Sequence, residues 1–297
     1  MAELLAASLE MGPVSLNVRD LAPLKDFYQT VIGLEVLKQD GTSVSFGHSG
    51  KPIVNLHQTP KLQPAERGSA GLYHLAIRFS ARGDLARAVQ RVRTQTSSLY
   101  TGSGDHLVSE AFYLADPEGN GIELYYDRDP SKWTWKDGMV QMEALYINPD
   151  QYIAKNAAAR PDQTDSFGQA EEQGTVQMGH VHLRVGDIEL ARRFYVDVLG
   201  FEITGQLPSA LFVSVNKYHH HIGMNTWESR GVAKRGETLG LRNFAIILPT
   251  KDDLQRLKRR LRGAKVEYEE TNSTSSGQAE ERMAFEDGWG NKIVVRT

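Results

Sequence analysis

An α+β fold of four βαβββ modules, paired into two halves, is what this sequence predicts, and three observations predict it. The first is an internal repeat. Val14-Ser15-Leu16-Asn17-Val18-Arg19-Asp20, with Phe27-Tyr28 and Ile32-Gly33-Leu34 behind it, recurs around Val181 to Asp187, Phe194-Tyr195 and Leu199-Gly200-Phe201 at a constant offset of 167 residues. The second is a pair of matching turns, Asp116-Pro117-Glu118-Gly119-Asn120 and Asp287-Gly288-Trp289-Gly290-Asn291, each followed by an alternating apolar run. The third is the hydrophobic period, which switches from two to about 3.6 residues and back within each quarter of the chain.

The elements follow in order. Val14 to Val18 alternates as a strand, Asp20 caps the next helix, Phe27-Tyr28 falls on its apolar face and Gly33 ends it. Turn signals at Asp40-Gly41 and Ser49-Gly50 separate the strands that complete module one. Tyr73 to Phe79 opens module two, Asp84 to Val92 is its helix, and the turn at Asp116 delivers the closing strand Gly121 to Leu124. Module three repeats the opening of module one from Gly179, with a turn at Asn216-Lys217. Module four reads as a strand from Asn243 to Leu248, a helix from Asp253 to Leu261 and a closing strand from Lys292 to Val295. The first pair of modules therefore spans 11–129 and the second 176–297, with a linker at 130–175. Trp133, Trp135 and Tyr146 imply that the linker's first part packs down, whereas Ala157 to Gln173 reads as loose chain.

With 297 residues, 40% of them apolar, the chain can bury a real core. Its 34 Lys and Arg against 37 Asp and Glu leave a net charge of −3 and no basic block to neutralise phosphates, so nucleic acid is not an expected partner. The absence of cysteine excludes disulfides, thiolate metal sites and thiol nucleophiles, so any metal must sit on nitrogen and oxygen. The apolar run Leu4 to Leu9 is short, flanked by Glu3 and Glu10, and no later run reaches a membrane-spanning length. A cytoplasmic protein with no membrane partner is expected, and self-association into a homo-oligomer is left open.

The nine histidines fall at 48, 57, 74, 106, 180, 182, 219, 220 and 221. Aligning the modules on their first strands sets His180 opposite Pro13 and His74 opposite Asn243; aligning the closing strands sets Glu123 opposite Val294. Modules two and three thus own His74, Glu123 and His180, while modules one and four own no counterpart. Two neutral imidazoles and one carboxylate form a three-ligand face that leaves coordination positions open on a divalent metal, as in non-haem iron(II) sites. A buried glutamate in a sheet interior is costly unless it is paired or metal-bound, which singles out Glu123.

This arrangement resembles the vicinal oxygen chelate superfamily, whose members are built of βαβββ modules and include glyoxalases, fosfomycin-resistance proteins and extradiol ring-cleaving dioxygenases. The family's first-strand motif is matched by His180-Val181-His182-Leu183-Arg184-Val185 and by His74-Leu75-Ala76-Ile77-Arg78-Phe79, and its closing-turn motif by Asp116 to Glu123. The resemblance implies the metal ligands His74, His180 and Glu123, with iron(II) as the cofactor and manganese(II) as the alternative. His182 shares a strand face with His180, but the repeat register and the motif both favour His180.

Further residues point to the extradiol dioxygenases, and within them to the catechol 2,3-dioxygenase type, including relatives assigned to hydroquinone cleavage. The stretch His219-His220-His221-Ile222-Gly223-Met224 looks like the family's strand whose second histidine is the acid–base residue, a role carried to His220; alternation would put His219 and His221 on the opposite face. Gly102-Ser103-Gly104-Asp105-His106 and Tyr113 resemble the family's Gly-rich loop, its histidine and its tyrosine. His106 and Tyr113 would hydrogen-bond a substrate oxygen and hold it deprotonated. Trp227, Met224 and Tyr218 would line a pocket for a small aromatic diol, with O2 as co-substrate. One departure is that familiar extradiol enzymes draw all ligands from the last two modules, whereas here modules two and three must share one site. The competing functions on this fold are a metal-dependent glyoxalase-like isomerase or transferase and a non-catalytic aromatic-binding or resistance protein; His220 with Tyr113 argues against the first and an intact ligand trio against the second.

Overall fold

The structure is a computed structural model that describes residues 4–158, 174–275 and 278–297. Four βαβββ modules are present. Module one comprises β1 (Glu10–Val18), β2 (Glu35–Asp40), β3 (Ser43–His48) and β4 (Lys51–Gln58), and module two β5 (Gly71–Phe79), β6 (Tyr100–Asp105), β7 (Ser109–Ala115) and β8 (Gly121–Asp127). After a short hairpin, β9 (Trp135–Lys136) and β10 (Met139–Val140), module three contributes β11 (Val176–Arg184), β12 (Glu202–Leu207), β13 (Ala210–Ser214) and β14 (Ile222–Asn225). Module four adds β15 (Gly240–Ile247), β16 (Glu269–Ser275), β17 (Gln278–Glu286) and β18 (Lys292–Arg296). The strands form two eight-stranded sheets, β16-β17-β18-β15-β1-β4-β3-β2 and β12-β13-β14-β11-β5-β8-β7-β6, so modules two and three supply the second sheet.

The local chemistry explains the module. A helix returns the chain to the start of the first strand, and two hairpins then reverse it twice, so the last strand runs parallel to the first and fills the place beside it. That parallel pairing is seen for β5 with β8, β11 with β14 and β15 with β18. The helices are α1 (Leu21–Asp26), α2 (Arg82–Gln95), α3 (Pro149–Asn156), α4 (Ile188–Arg192) and α5 (Lys251–Gly263). Asp20 accepts from the Ala22 amide and Asp187 from the Leu190 amide, which satisfies donors that a helix start leaves unpaired.

Both α1 and α4 run on into a wider π turn, Phe27–Ile32 and Arg193–Val198, where a plain α-helix was expected. The repeated Phe-Tyr pair sits in that turn, with Tyr28 and Tyr195 wholly buried. Their hydroxyls donate to Asp116 Oδ2 at 3.2 Å and to Asp287 Oδ2 at 2.9 Å. Each aspartate also accepts two backbone amides of its own turn, those of Glu118 and Asn120 or of Trp289 and Asn291. The repeated helix is thus bolted to the matching turn twice over.

The chain divides into two compact units, one of Met1–Asn17, Leu62–Leu72 and His180–Thr297 and the other of Val18–Lys61 and Tyr73–Gly179. In the first, α5 buries Leu254, Leu257 and Leu261 along one stripe. In the second, α2 buries Leu85, Ala86, Ala88, Val89 and Val92, and a small cluster of Ala76, Ala111 and Tyr125 packs with Tyr113 on the sheet. The segment expected to be a linker is more ordered than its sequence implies. Asn148 accepts from the amides of Asp150 and Gln151 to cap α3, and Tyr152 of that helix donates to Glu110 Oε2 at 3.1 Å. Trp133 packs down as expected, whereas Tyr146 is 76% exposed. Of the stretch read as loose chain, residues 159–173 lie outside the described residues.

Candidate functional site

One half of the candidate site is built on β5, β7 and β8. Ala76 and Tyr113 both stand directly beside Glu123 in the strand register, so the three side chains share a sheet face. His74, two residues before Ala76, shares it too. The small Ala76 leaves His74 Nε2 and Glu123 Oε2 room to approach to 3.0 Å, and both residues are buried. Tyr113 lies across from them, its ring centroid 5.7 Å from that of His74. Desolvation against the sheet, and then the charge of Glu123, push the Tyr113 hydroxyl well above the usual phenol range, so it is a neutral donor.

That hydroxyl lies 2.6 Å from His106 Nε2, while His106 Nδ1 lies 2.6 Å from the carbonyl oxygen of Glu143. A carbonyl only accepts, so Nδ1 of His106 carries the hydrogen; in the neutral ring Nε2 then accepts from Tyr113. The segment expected as a Gly-rich loop is instead the edge strand β6, with His106 just past its end. A Cβ at Gly104 would come within 2.7 Å of the His106 ring, so this glycine makes the space into which the imidazole folds back.

The other half comes from β11, β13 and the turn between β13 and β14. His180 is buried, and the ring of His220 lies 4.1 Å from it, centroid to centroid. His182 is engaged differently. Its Nε2 is 3.0 Å from Asn225 Nδ2, and its ring packs 5.8 Å from Phe212 and 5.5 Å from Trp227. Immediately before His180, a Cβ at Gly179 would overlap the Tyr125 hydroxyl.

The three consecutive histidines depart from expectation. They precede β14 rather than belong to it, so strand alternation does not apply: His219 is buried beside His220, with their Nδ1 atoms 2.9 Å apart. His221 takes a different partner, Ser214 Oγ at 2.7 Å from its Nδ1. The cause lies upstream, where Asn216 and Lys217 both have positive φ and turn the chain sharply, and the chain regains strand geometry only at Ile222. Met224 is also corrected as a pocket residue. It pairs with Leu183, on the face away from His180 and His182. Trp227 is half-exposed beside His182, and Tyr218 packs on His219 at 4.2 Å. Sequence reasoning missed Glu143, which acts through its carbonyl and so leaves no side-chain signal, and His219, whose burial only the turn geometry determines.

His74, Glu123 and His180 each offer one ligand atom, and these atoms all lie within 4.8 Å of one another. Two metal–ligand bonds of about 2.1 Å span a similar distance, and all three side chains are buried, so the donor set fits a divalent ion. One carboxylate with two neutral imidazoles would leave such an ion a single formal positive charge for an anionic ligand. Among the described residues no helix is long and apolar enough to cross a membrane.

Comparisons with known proteins agree with the architecture. Residues 10–124 and 177–295 match the family described as the Glyoxalase/Bleomycin resistance protein/Dioxygenase superfamily. A protein of Bacillus subtilis (strain 168) named catechol-2,3-dioxygenase is 36% identical over 270 residues, covering 89% of this chain and 91% of its own length. Among solved structures, a candidate dioxygenase from Bacillus subtilis subsp. subtilis str. 168 superposes with a TM-score of 0.64 at 14% identity, over 97% of this chain and 84% of that one. Glyoxalase I from Zea mays superposes with a TM-score of 0.58 at 16% identity, over 97% and 92%. At these identities the structural likeness is one of fold.

Proposed function

We propose, from the premise that this chain belongs to the Glyoxalase/Bleomycin resistance protein/Dioxygenase superfamily, that it is an extradiol dioxygenase that opens the ring of a small catechol-type diol with O2. The observation that carries this reading is the convergence of His74, Glu123 and His180. The named activity of the Bacillus subtilis relative supports it. These three residues would hold iron(II), or manganese(II) in its place. Once bound, the metal supplies a common anchor for diol and O2 and a path for electrons between them.

The chain's own residues supply the proton chemistry. His220, beside His180, is assigned to receive a proton from a diol hydroxyl and later return one to oxygen. Tyr113 is assigned to turn its hydroxyl hydrogen from His106 Nε2 to the substrate oxygen when the diol binds, and so to favour that oxygen's deprotonated form. The ring carbon–carbon bond beside the diol breaks, and both atoms of O2 remain in the open-chain semialdehyde.

The test is anaerobic loading with Fe(II), and separately with Mn(II), followed by catechol in air. A yellow ring-fission product, formed with consumption of one O2 per diol, is expected. No colour with catechol, substituted catechols or hydroquinones under either metal would contradict the reading.

A further inference from the structure

His219 has no role in the chemistry assigned above, yet it is buried and its ring meets both His220 and His180. Its Nδ1 lies 2.9 Å from His220 Nδ1, and the two rings stand nearly edge to face, 4.6 Å apart at 72°. Two ring nitrogens at that distance share one hydrogen: one donates and the other accepts. The consequence for His220 is geometric. With Nδ1 committed to His219, a half-turn of the His220 ring breaks that bond, and proton exchange with a substrate falls to Nε2.

His219 is in turn held from several sides. Thr204 Oγ1 donates to its carbonyl at 2.6 Å, and the Tyr218 ring covers it at 4.2 Å. Downstream, the His221 amide donates to the Val213 carbonyl at 2.9 Å while its ring bonds Ser214 Oγ. A loop pinned this way can set the orientation of a neighbouring ring rather than follow it.

We propose that His219 is a positioning residue, whose Nδ1 accepts the shared hydrogen from His220 Nδ1, which fixes the orientation and tautomer of the His220 ring and leaves Nε2 to receive the substrate proton. The inference rests on the reading of His220 as the residue that exchanges the substrate proton, and it concerns hydrogen-bond geometry rather than the charge of either ring.

The test pairs His219→Leu, which removes the nitrogen, with His219→Asn, which keeps a hydrogen-bonding group near the Nδ1 position. In the metal-free full chain, long-range 1H–15N correlations of the histidine rings should show one tautomer for His220 in the parent and in His219→Asn, and a mixture in His219→Leu. After iron loading, kcat for catechol should fall about 10- to 100-fold in His219→Leu, with KM and iron content within about twofold, and should recover at least about tenfold of that loss in His219→Asn. An unchanged His220 tautomer, an unchanged kcat in His219→Leu, or equal losses in both variants would overturn the proposal. His220→Phe separates the two readings: full activity in that variant would remove the acid–base assignment, while the metal-free ring spectra would still decide the positioning claim.

Discussion

At the scale of single residues, the Glu143 carbonyl, His106 and Tyr113 form a directed chain of hydrogen bonds ending beside Glu123. Tyr113→Phe removes the group proposed to meet substrate, and kcat/KM for catechol should drop about 10- to 1,000-fold with iron content unchanged. Gly104→Ala should reproduce much of the His106→Ala loss, because its Cβ would displace the imidazole while leaving every proposed ligand in place. Parent-like kinetics in Gly104→Ala would show that the fold-back of His106 has no functional weight. His106 and Tyr113 were singled out through the family resemblance, but their direct bond and its direction were not legible in the sequence. Those depend on a main-chain carbonyl 37 residues downstream.

At the scale of elements, the closing turns act as anchors as well as connectors. Tyr28→Phe and Tyr195→Phe each remove a donor from a buried aspartate, and each should destabilise by about 1–3 kcal/mol in urea unfolding. Burial pushes the Asp116 carboxyl up to about 6, against the turn and Tyr28 hydrogen bonds that favour its charged form. A raised folded pKa means that the native state binds the proton more tightly than the unfolded chain. The associated stability is therefore present below about pH 4 and is lost as pH rises towards 6, on the order of 3 kcal/mol in all. Over that window stability should fall more steeply in the parent than in Asp116→Asn, and parallel slopes in the two proteins would contradict this. The turns were legible because Asp, Gly and Asn each have a backbone reason to be there; the π turns were not, since a one-residue widening barely alters an apolar period. The His219–His221 segment misled for a related reason. Alternation is informative only inside a strand, and two left-handed residues just upstream take this segment out of one.

At the scale of the whole molecule, the repeat at a fixed offset foretold the four modules, and the loss of His and Glu from modules one and four singled out His74, Glu123 and His180, whose ligand atoms lie within 4.8 Å of one another. The order of the segment between the halves was hidden, because the hold of α3 comes from Tyr152 on Glu110 rather than from any internal period. Donors drawn from such separate segments make metal binding a folding event as well. Saturating Fe(II), at about 100 times its Kd, should stabilise the chain by about 2.7 kcal/mol, and Glu123→Gln should abolish most of that gain.

The central claim is tested most directly by the iron retained per chain after anaerobic loading and desalting of the parent, His180→Ala and His182→Ala. Near-stoichiometric iron in the parent and in His182→Ala, with almost none in His180→Ala, is the predicted result. Iron retained by His180→Ala and lost from His182→Ala would contradict the assignment of His180 and the site built upon it.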